Sequence, residues 1–331
     1  MPALYRDDTG QVLMSASSIG RAFVFPGQGS QAVGMGRELH AAFVTAREVF
    51  AEIDEALKQN LSRLMFEGPE SDLILTENAQ PALMAVSLAA MRVMEKDGGL
   101  DLKRHAAFVA GHSLGEYSAL AAAHALAIAD AARLLKQRGR AMQRAVPVGM
   151  GAMAALLGLE IDAARAIASE AAQGEVVEAA NDNGAGQVVV SGHRTAVERA
   201  VVHAASHGAK RAIMLPVSAP FHCALMEPAA REMTEALADV QLAEPIVPLV
   251  ANVTATAVRD PVEIKDLLVQ QVTGLVRWRE CVLYMKERGV SVLVEVGAGR
   301  VLSGLAKRID RELTGLSIGT PAEIEAFLKT L

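Results

Sequence analysis

The chain has 331 residues, 51% of them hydrophobic and 21% charged, with a formal net charge of −6; this is a globular protein with ample core, built as two domains or as one large domain with an insertion. The acidic balance excludes a surface that as a whole attracts nucleic acid or an anionic membrane, and no apolar run approaches the roughly 20 residues of a spanning helix. Two cysteines, Cys223 and Cys281, make no disulfide framework, which fits a reducing cytoplasm.

Residues 1–18 lack the basic start and apolar core of a secretory signal, and they read as a loose extension in which Met14 is an alternative start. From residue 21 the pattern alternates. A strand at "RAFVF" runs into the glycine-rich loop "PGQGSQAVGMG", and helical apolar spacing covers 38–57 and 78–98. A short apolar run, 106–110, is followed by helix formers over 116–127 and a further helix over 127–146. This β-loop-α alternation predicts an α/β layered fold with a mainly parallel sheet.

After Pro147 the order changes to strand 151–159, helix 162–174, two strands within 176–192, helix 194–209 and strand 210–217. Strand-helix-strand-strand-helix-strand is the ferredoxin-like order. We therefore expect an extension 1–20, a large α/β unit from 21–147 and 216–331, and an inserted ferredoxin-like subdomain 148–215. The large unit resumes with helix 226–239, strand 246–252, helix 261–288, strand 290–296 and a short helix after "GAGR".

The chemistry concentrates at Gly111-His112-Ser113-Leu114-Gly115, between the apolar run and the alanine-rich helix. G-x-S-x-G at a strand-to-helix junction is a nucleophile elbow: glycines allow the sharp turn and leave the serine uncrowded near free helix N–H groups. The elbow indicates acyl chemistry, to water or to a carrier. Ser113 needs a base, and His222 in "PVSAPFHCALM" is the candidate, where the chain returns from the insert. His40, His105, His193, His203 and His207 sit in polar or helical settings. His112, next to the nucleophile in extended chain, points to the opposite face. No acid stands on an evident strand end before His222, so a dyad oriented by a neutral carbonyl or amide fits better than a hydrolase triad. Cys223 lacks glycine flanks and reads as packing. The loop "FPGQGSQ" is not a phosphate loop, because no Gly-Lys-Ser/Thr follows. The oxyanion needs two donors, and the Leu114 N–H and Gln28 are the candidates. Arg138 in "LLKQRGRAM" is either a solvated helix residue or, if buried, a bidentate clamp for a carboxylate.

Six motifs in one order, "FVFPGQGSQAVGMG", "AGHSLGEYSAL", "QRGRAMQ", "GQVVVSGH", "PVSAPFHCALM" and "VEVGAGRVLSGL", carry a close resemblance to the malonyl-CoA:acyl-carrier-protein transacylases of bacterial fatty-acid synthesis. The resemblance covers residues 21 to about 320. It implies a hydrolase-like α/β core with a ferredoxin-like insert. Ser113 is implied as the acylated nucleophile, His222 as its base, and Gln28 and Leu114 as oxyanion donors through their backbone N–H groups. Arg138 is implied as the clamp for the malonyl carboxylate, and the Gln271 backbone carbonyl as the group that orients His222. Asn181, Asn183, Asn252 and His112 fall at cleft positions. Phe221 matches a position that carries Phe in malonyl-selective and Ser in methylmalonyl-selective polyketide acyltransferases. Ala251 stands where Asn is common, and "TGL" (273–275) replaces a segment that usually carries Asn-Pro.

The resemblance implies a cytoplasmic ping-pong acyltransferase acting on malonyl-CoA and acyl carrier protein, needing no metal or redox cofactor and expected to be a monomer. The alternatives are a serine thioester hydrolase, a non-catalytic carrier-binding scaffold, and an acyltransferase of polyketide synthesis. Because carrier proteins of this pathway are acidic and this chain is also net negative, docking needs a local basic patch. Arg133, Lys136, Arg140 and Arg144, Lys210 and Arg211, and Lys307 and Arg308 are the candidates.

Overall fold

The computed structural model describes residues 5–6, 12–13, 20–217 and 219–331; the expected loose extension lies mostly outside these residues. Strands β1 (Tyr5–Arg6) and β2 (Val12–Leu13) pair antiparallel. The main sheet uses β3 (Arg21–Phe25), β4 (Phe108–Gly111), β9 (Leu249–Val250), β10 (Ala257–Val258), β11 (Val292–Val296) and β12 (Thr314–Ile318), in the order β10-β9-β4-β3-β11-β12. Every pairing in it is parallel except β10 with β9. A second sheet contains β5 (Gly151–Leu157), β6 (Val177–Asp182), β7 (Gln187–His193) and β8 (Arg211–Met214). Its order β6-β7-β5-β8 is wholly antiparallel, which with helices Ile161–Ala172 and Arg194–Ser206 is the ferredoxin-like arrangement.

Side-chain alternation explains why the main sheet sits between layers. Phe23 and Phe25 face one apolar cluster while Ala22 and Val24 face another, as the period of two requires. The first cluster is filled by helix Thr76–Lys96, the elbow helix Gly115–Ala122 and helix Ile128–Ala145. The second is closed by helices Trp278–Glu287 and Val301–Ile309. The antiparallel sheet has its own core of Ala, Val, Leu and Ile.

Two expected helices are broken. The 38–57 pattern divides at Phe43, whose extended φ −122° and ψ 132° separate Arg37–Ala42 from Val44–Leu57. The 261–288 pattern divides into Pro261–Thr273 and Trp278–Glu287. Here tertiary pairing overrides helix period: Val276 accepts from Asp182 N–H and donates to Ala180 O, both at 2.9 Å, so the segment lies along β6. Helices Leu61–Glu67, Glu70–Leu73 and Pro321–Leu328 and strand β12 carry no sequence expectation, and the expected strand 246–252 shortens to β9. No helix of the described residues is long and apolar enough to cross a membrane.

Candidate active site

The elbow forms because β4 runs into a helix within a space only glycine fits. A Cβ on Gly111 would lie 1.8 Å from the Gly115 carbonyl carbon, and one on Gly115 would lie 2.3 Å from Phe25 O. Ser113 at the apex takes φ 53°, the left-handed region that non-glycine residues rarely adopt. The strain is held by neighbours. Ser113 N–H donates to Asn252 Oδ1 at 2.8 Å, and Ser113 O accepts from Gln271 Nε2 at 3.0 Å. Asn252 Nδ2 in turn donates to Gly111 O at 2.7 Å.

His222 comes to Ser113 from 109 residues away, with Ser113 Oγ 2.8 Å from His222 Nε2. His222 also has positive φ, 58°, and is 4% exposed. Its Nδ1 is 2.8 Å from the Gln271 backbone oxygen, which can only accept. That contact sets the tautomer: Nδ1 carries the hydrogen, and Nε2 accepts the serine O–H. Burial, then the nearby Arg138 charge, pushes the imidazole down to about 3. The base is therefore neutral at neutral pH.

Arg138 is 1% exposed, so it is not a solvated helix residue. Its Nη1 donates to Gln80 Oε1 at 2.8 Å; its Nη2 donates to Gln271 Oε1 at 2.8 Å and to Ser113 Oγ at 3.1 Å. Its Nε is buried without a protein acceptor among the described residues. Gly139 brings the arginine close, because a Cβ there would lie 2.6 Å from Glu77 Cα and Thr76 O. Helix Ile128–Ala145 thus presses against the start of helix Thr76–Lys96.

The loop after β3 packs on the elbow: a Cβ on Gly27 would lie 2.9 Å from His112 O. Gln28 Nε2 donates to Thr76 Oγ1 at 3.3 Å, so its side chain is engaged elsewhere. The backbone N–H groups of Gln28 and Leu114 have no protein acceptor among the described residues. His112 turns away from Ser113, as expected. Its Nε2 meets Asn183 Oδ1 at 2.9 Å and its ring lies against Trp278. Asn183 therefore ties the antiparallel sheet to the elbow, while Asn181 at the end of β6 bridges to Val276 through its backbone. Asn252 is fully buried beneath Ser113. Phe221, 8% exposed, packs in the main core beside His222. Cys223 is inert packing: its thiol donates to Pro220 O at 3.2 Å, and burial pushes it up to about 11.

Glu116 and Gln80 escaped the sequence reading. Both are 1% exposed and bonded to residues of this cluster. The available signal was the one charged residue of "GEYSALAA" for Glu116 and an amide entering the apolar run of "NAQPALMA" for Gln80.

A buried serine–imidazole pair, free N–H groups beside it and a buried guanidinium can attack an acyl group that carries an anion. Comparisons with known proteins agree. The acyl transferase domain family matches residues 22–311. The malonyl CoA-acyl carrier protein transacylase of Escherichia coli (strain K12) is 46% identical over 93% of this chain and 98% of its own; that of Bacillus subtilis (strain 168) is 43% identical over 94% and 96%. Among solved structures, the acyl-carrier-protein-S-malonyltransferase of Bartonella henselae is 55% identical with a TM-score of 0.92, over 94% of this chain and 99% of that one. A malonyl-transacylase in complex with its type II PKS acyl-carrier protein is 42% identical with a TM-score of 0.91, over 94% and 99%. With its strained elbow serine and this likeness along nearly all its length, the chain belongs to the malonyl CoA-acyl carrier protein transacylase family.

Proposed function

We propose that this enzyme moves the malonyl group from malonyl-CoA to the phosphopantetheine thiol of an acyl carrier protein through a malonyl-Ser113 intermediate. The observation that carries the reading is Arg138, buried with a donor to spare, within hydrogen-bond reach of the same serine oxygen that contacts His222.

Ser113 O–H gives its proton to His222 Nε2 as Oγ attacks the thioester carbon. The Gln271 carbonyl, already accepting from Nδ1–H, stabilises the imidazolium that forms. The oxyanion is received by the Leu114 and Gln28 N–H groups, the first lying at the start of a helix whose dipole favours negative charge. The imidazolium returns its proton to the departing coenzyme A sulfur. The carrier thiol then enters, His222 takes its proton, and sulfur attack expels Ser113 Oγ, which receives that proton from the imidazolium. The guanidinium holds the free malonyl carboxylate throughout, so acyl donors without that anion leave a buried cation unmatched.

The chemistry asks for one thioester donor, one thiol acceptor and these side chains; no cofactor has a step in it. The reading includes a monomeric, cytoplasmic enzyme with the unit boundaries expected from the sequence, 148–215 being set within the large unit. Incubation with malonyl-CoA followed by intact-mass measurement tests it: a malonyl adduct on Ser113 that a carrier protein then discharges is the expected result. Stable acylation with discharge only to water would point to a hydrolase. Parallel discharge onto fatty-acid and polyketide carrier proteins identifies the pathway, a question raised by the 42% identical relative bound to a PKS carrier.

A further inference from the structure

The floor beneath Ser113 holds one ionisable group that neither half-reaction uses. Glu116 lies in the first turn of the elbow helix, every residue of which is buried. Its Oε1 accepts from Asn252 N–H and its Oε2 from Gln271 Nε2, each at 2.5 Å. Both partners are donors only. The contacts are those of a carboxylate, since a carboxylic acid would aim its O–H at another donor. Burial raises this carboxyl to about 8, and the two donors and the Arg138 charge offset only part of that rise; the two donor contacts are what favour the carboxylate. A carboxylate so enclosed needs a counter-charge, and the buried cation of this cluster is Arg138.

The Gln271 carboxamide joins the two. Its Nε2 faces three acceptors: Glu116 Oε2, Ser113 O at 3.0 Å and Asn252 Oδ1 at 3.3 Å. That surround decides which end of the amide is nitrogen, so Oε1 is left to accept from Arg138 Nη2 at 2.8 Å. We propose that Glu116 is a positioning residue for the carboxylate clamp, its carboxylate holding and balancing the Arg138 guanidinium through the Gln271 side chain. A second line of contacts runs from Glu116 through Asn252 to the Ser113 N–H. That line bears on the nucleophile, hence on every acyl donor alike. The Arg138 line bears on donors with a free carboxylate. The inference rests on the malonyl-transfer reading, and the difference between the two lines is its readout.

The test is single-turnover acylation of the full-length protein by malonyl-CoA and by acetyl-CoA, followed by intact mass. Glu116→Gln removes the charge and sets an NH2 against one of the two donors. Malonyl acylation should fall roughly ten- to a hundredfold, the scale of a misplaced clamp, while acetyl acylation changes by much less. Gln271→Met keeps the backbone carbonyl on His222 but takes the amide from Ser113 O as well as from Arg138 and Glu116; both donors should slow, malonyl by roughly tenfold more than acetyl, and this ratio decides the matter if Glu116→Gln fails to fold by circular dichroism. Equal loss for both donors, or no loss, in a folded variant overturns the assignment. Wild-type protein that takes up no malonyl group would instead sink the malonyl-transfer reading, and that failure is visible before any substitution is made.

Discussion

Arg138 Nη2 donates to Ser113 Oγ at 3.1 Å, so the side chain assigned to the malonyl carboxylate also touches the nucleophile. Removing a partner from a buried charge pair costs about 3–5 kcal/mol, which is roughly a hundredfold or more in rate at 1.4 kcal/mol per decade. Arg138→Ala should lose malonyl kcat/KM by that scale and shift the malonyl-over-acetyl preference toward acetyl. A variant that keeps its preference removes the clamp assignment.

Ser113→Ala should take up no malonyl mass while keeping a native circular dichroism spectrum. The brackets that hold the elbow, Asn252 and Gln271, bond to the Ser113 backbone and not to its hydroxyl. A malonyl adduct on the alanine variant would mean that another group is the nucleophile.

His222, pushed down to about 3 by burial and by Arg138, should stay an unprotonated base through the neutral range. Acylation of the free enzyme should therefore not show a loss centred near pH 6.5, the ordinary imidazole value. Stability follows the same imidazole: below about 6.5 the unfolded chain binds this proton and the folded one does not, so His222 makes the protein less stable as pH falls from about 6.5 toward 3. Acylation rates and urea midpoints across this window check both statements, and a rate midpoint near 6.5 contradicts the first.

Phe221→Ser should admit methylmalonyl-CoA if, as the resemblance implies, the residue before His222 walls the α-carbon of the acyl group. The residue is 8% exposed in the main core, so the truncation should also cost about 3 kcal/mol of stability. The comparison is kcat/KM for methylmalonyl- and malonyl-CoA at a temperature well below the variant's Tm. An unchanged ratio places the methyl group elsewhere.

The candidate basic residues for carrier docking separate by their partners. Lys136 and Arg140 share Glu77, Arg144 pairs with Glu232, and Arg133 pairs with Asp130. Lys210, Arg211, Lys307 and Arg308 are exposed, and no carboxylate among the described residues pairs with them. They also converge: a Cβ on Gly184, next to Asn183, would meet Ile309, and Gly186 abuts Gly158, which abuts Lys210. Lys307→Glu and Arg211→Glu should raise the carrier KM several-fold, more at low salt, and leave acylation by malonyl-CoA unchanged. An unaltered carrier KM in both variants moves docking away from this face.

The local elements of the site were legible in the chain itself. G-x-S-x-G between an apolar run and an alanine-rich helix dictates the elbow, because only glycine tolerates the contacts that Gly111 and Gly115 make. The order of strands and helices after Pro147 likewise defines the ferredoxin-like sheet, since each element has its own period. What the tertiary structure decided is whatever depends on who is buried against whom. Arg138 reads as a surface or a clamp residue until packing closes over it; the guanidinium loses its water only when helices Thr76–Lys96 and Ile128–Ala145 meet at Gly139. The helical pattern through Val276 yields to pairing with β6, a partner nearly a hundred residues away. Glu116 carries no sequence expectation, and its Asn252 and Gln271 partners lie 136 and 155 positions along the chain. Local spacing determines backbone shape, because neighbouring residues alone set it; the charge state and duties of a side chain follow from desolvation and distant donors, which exist only once the chain has folded.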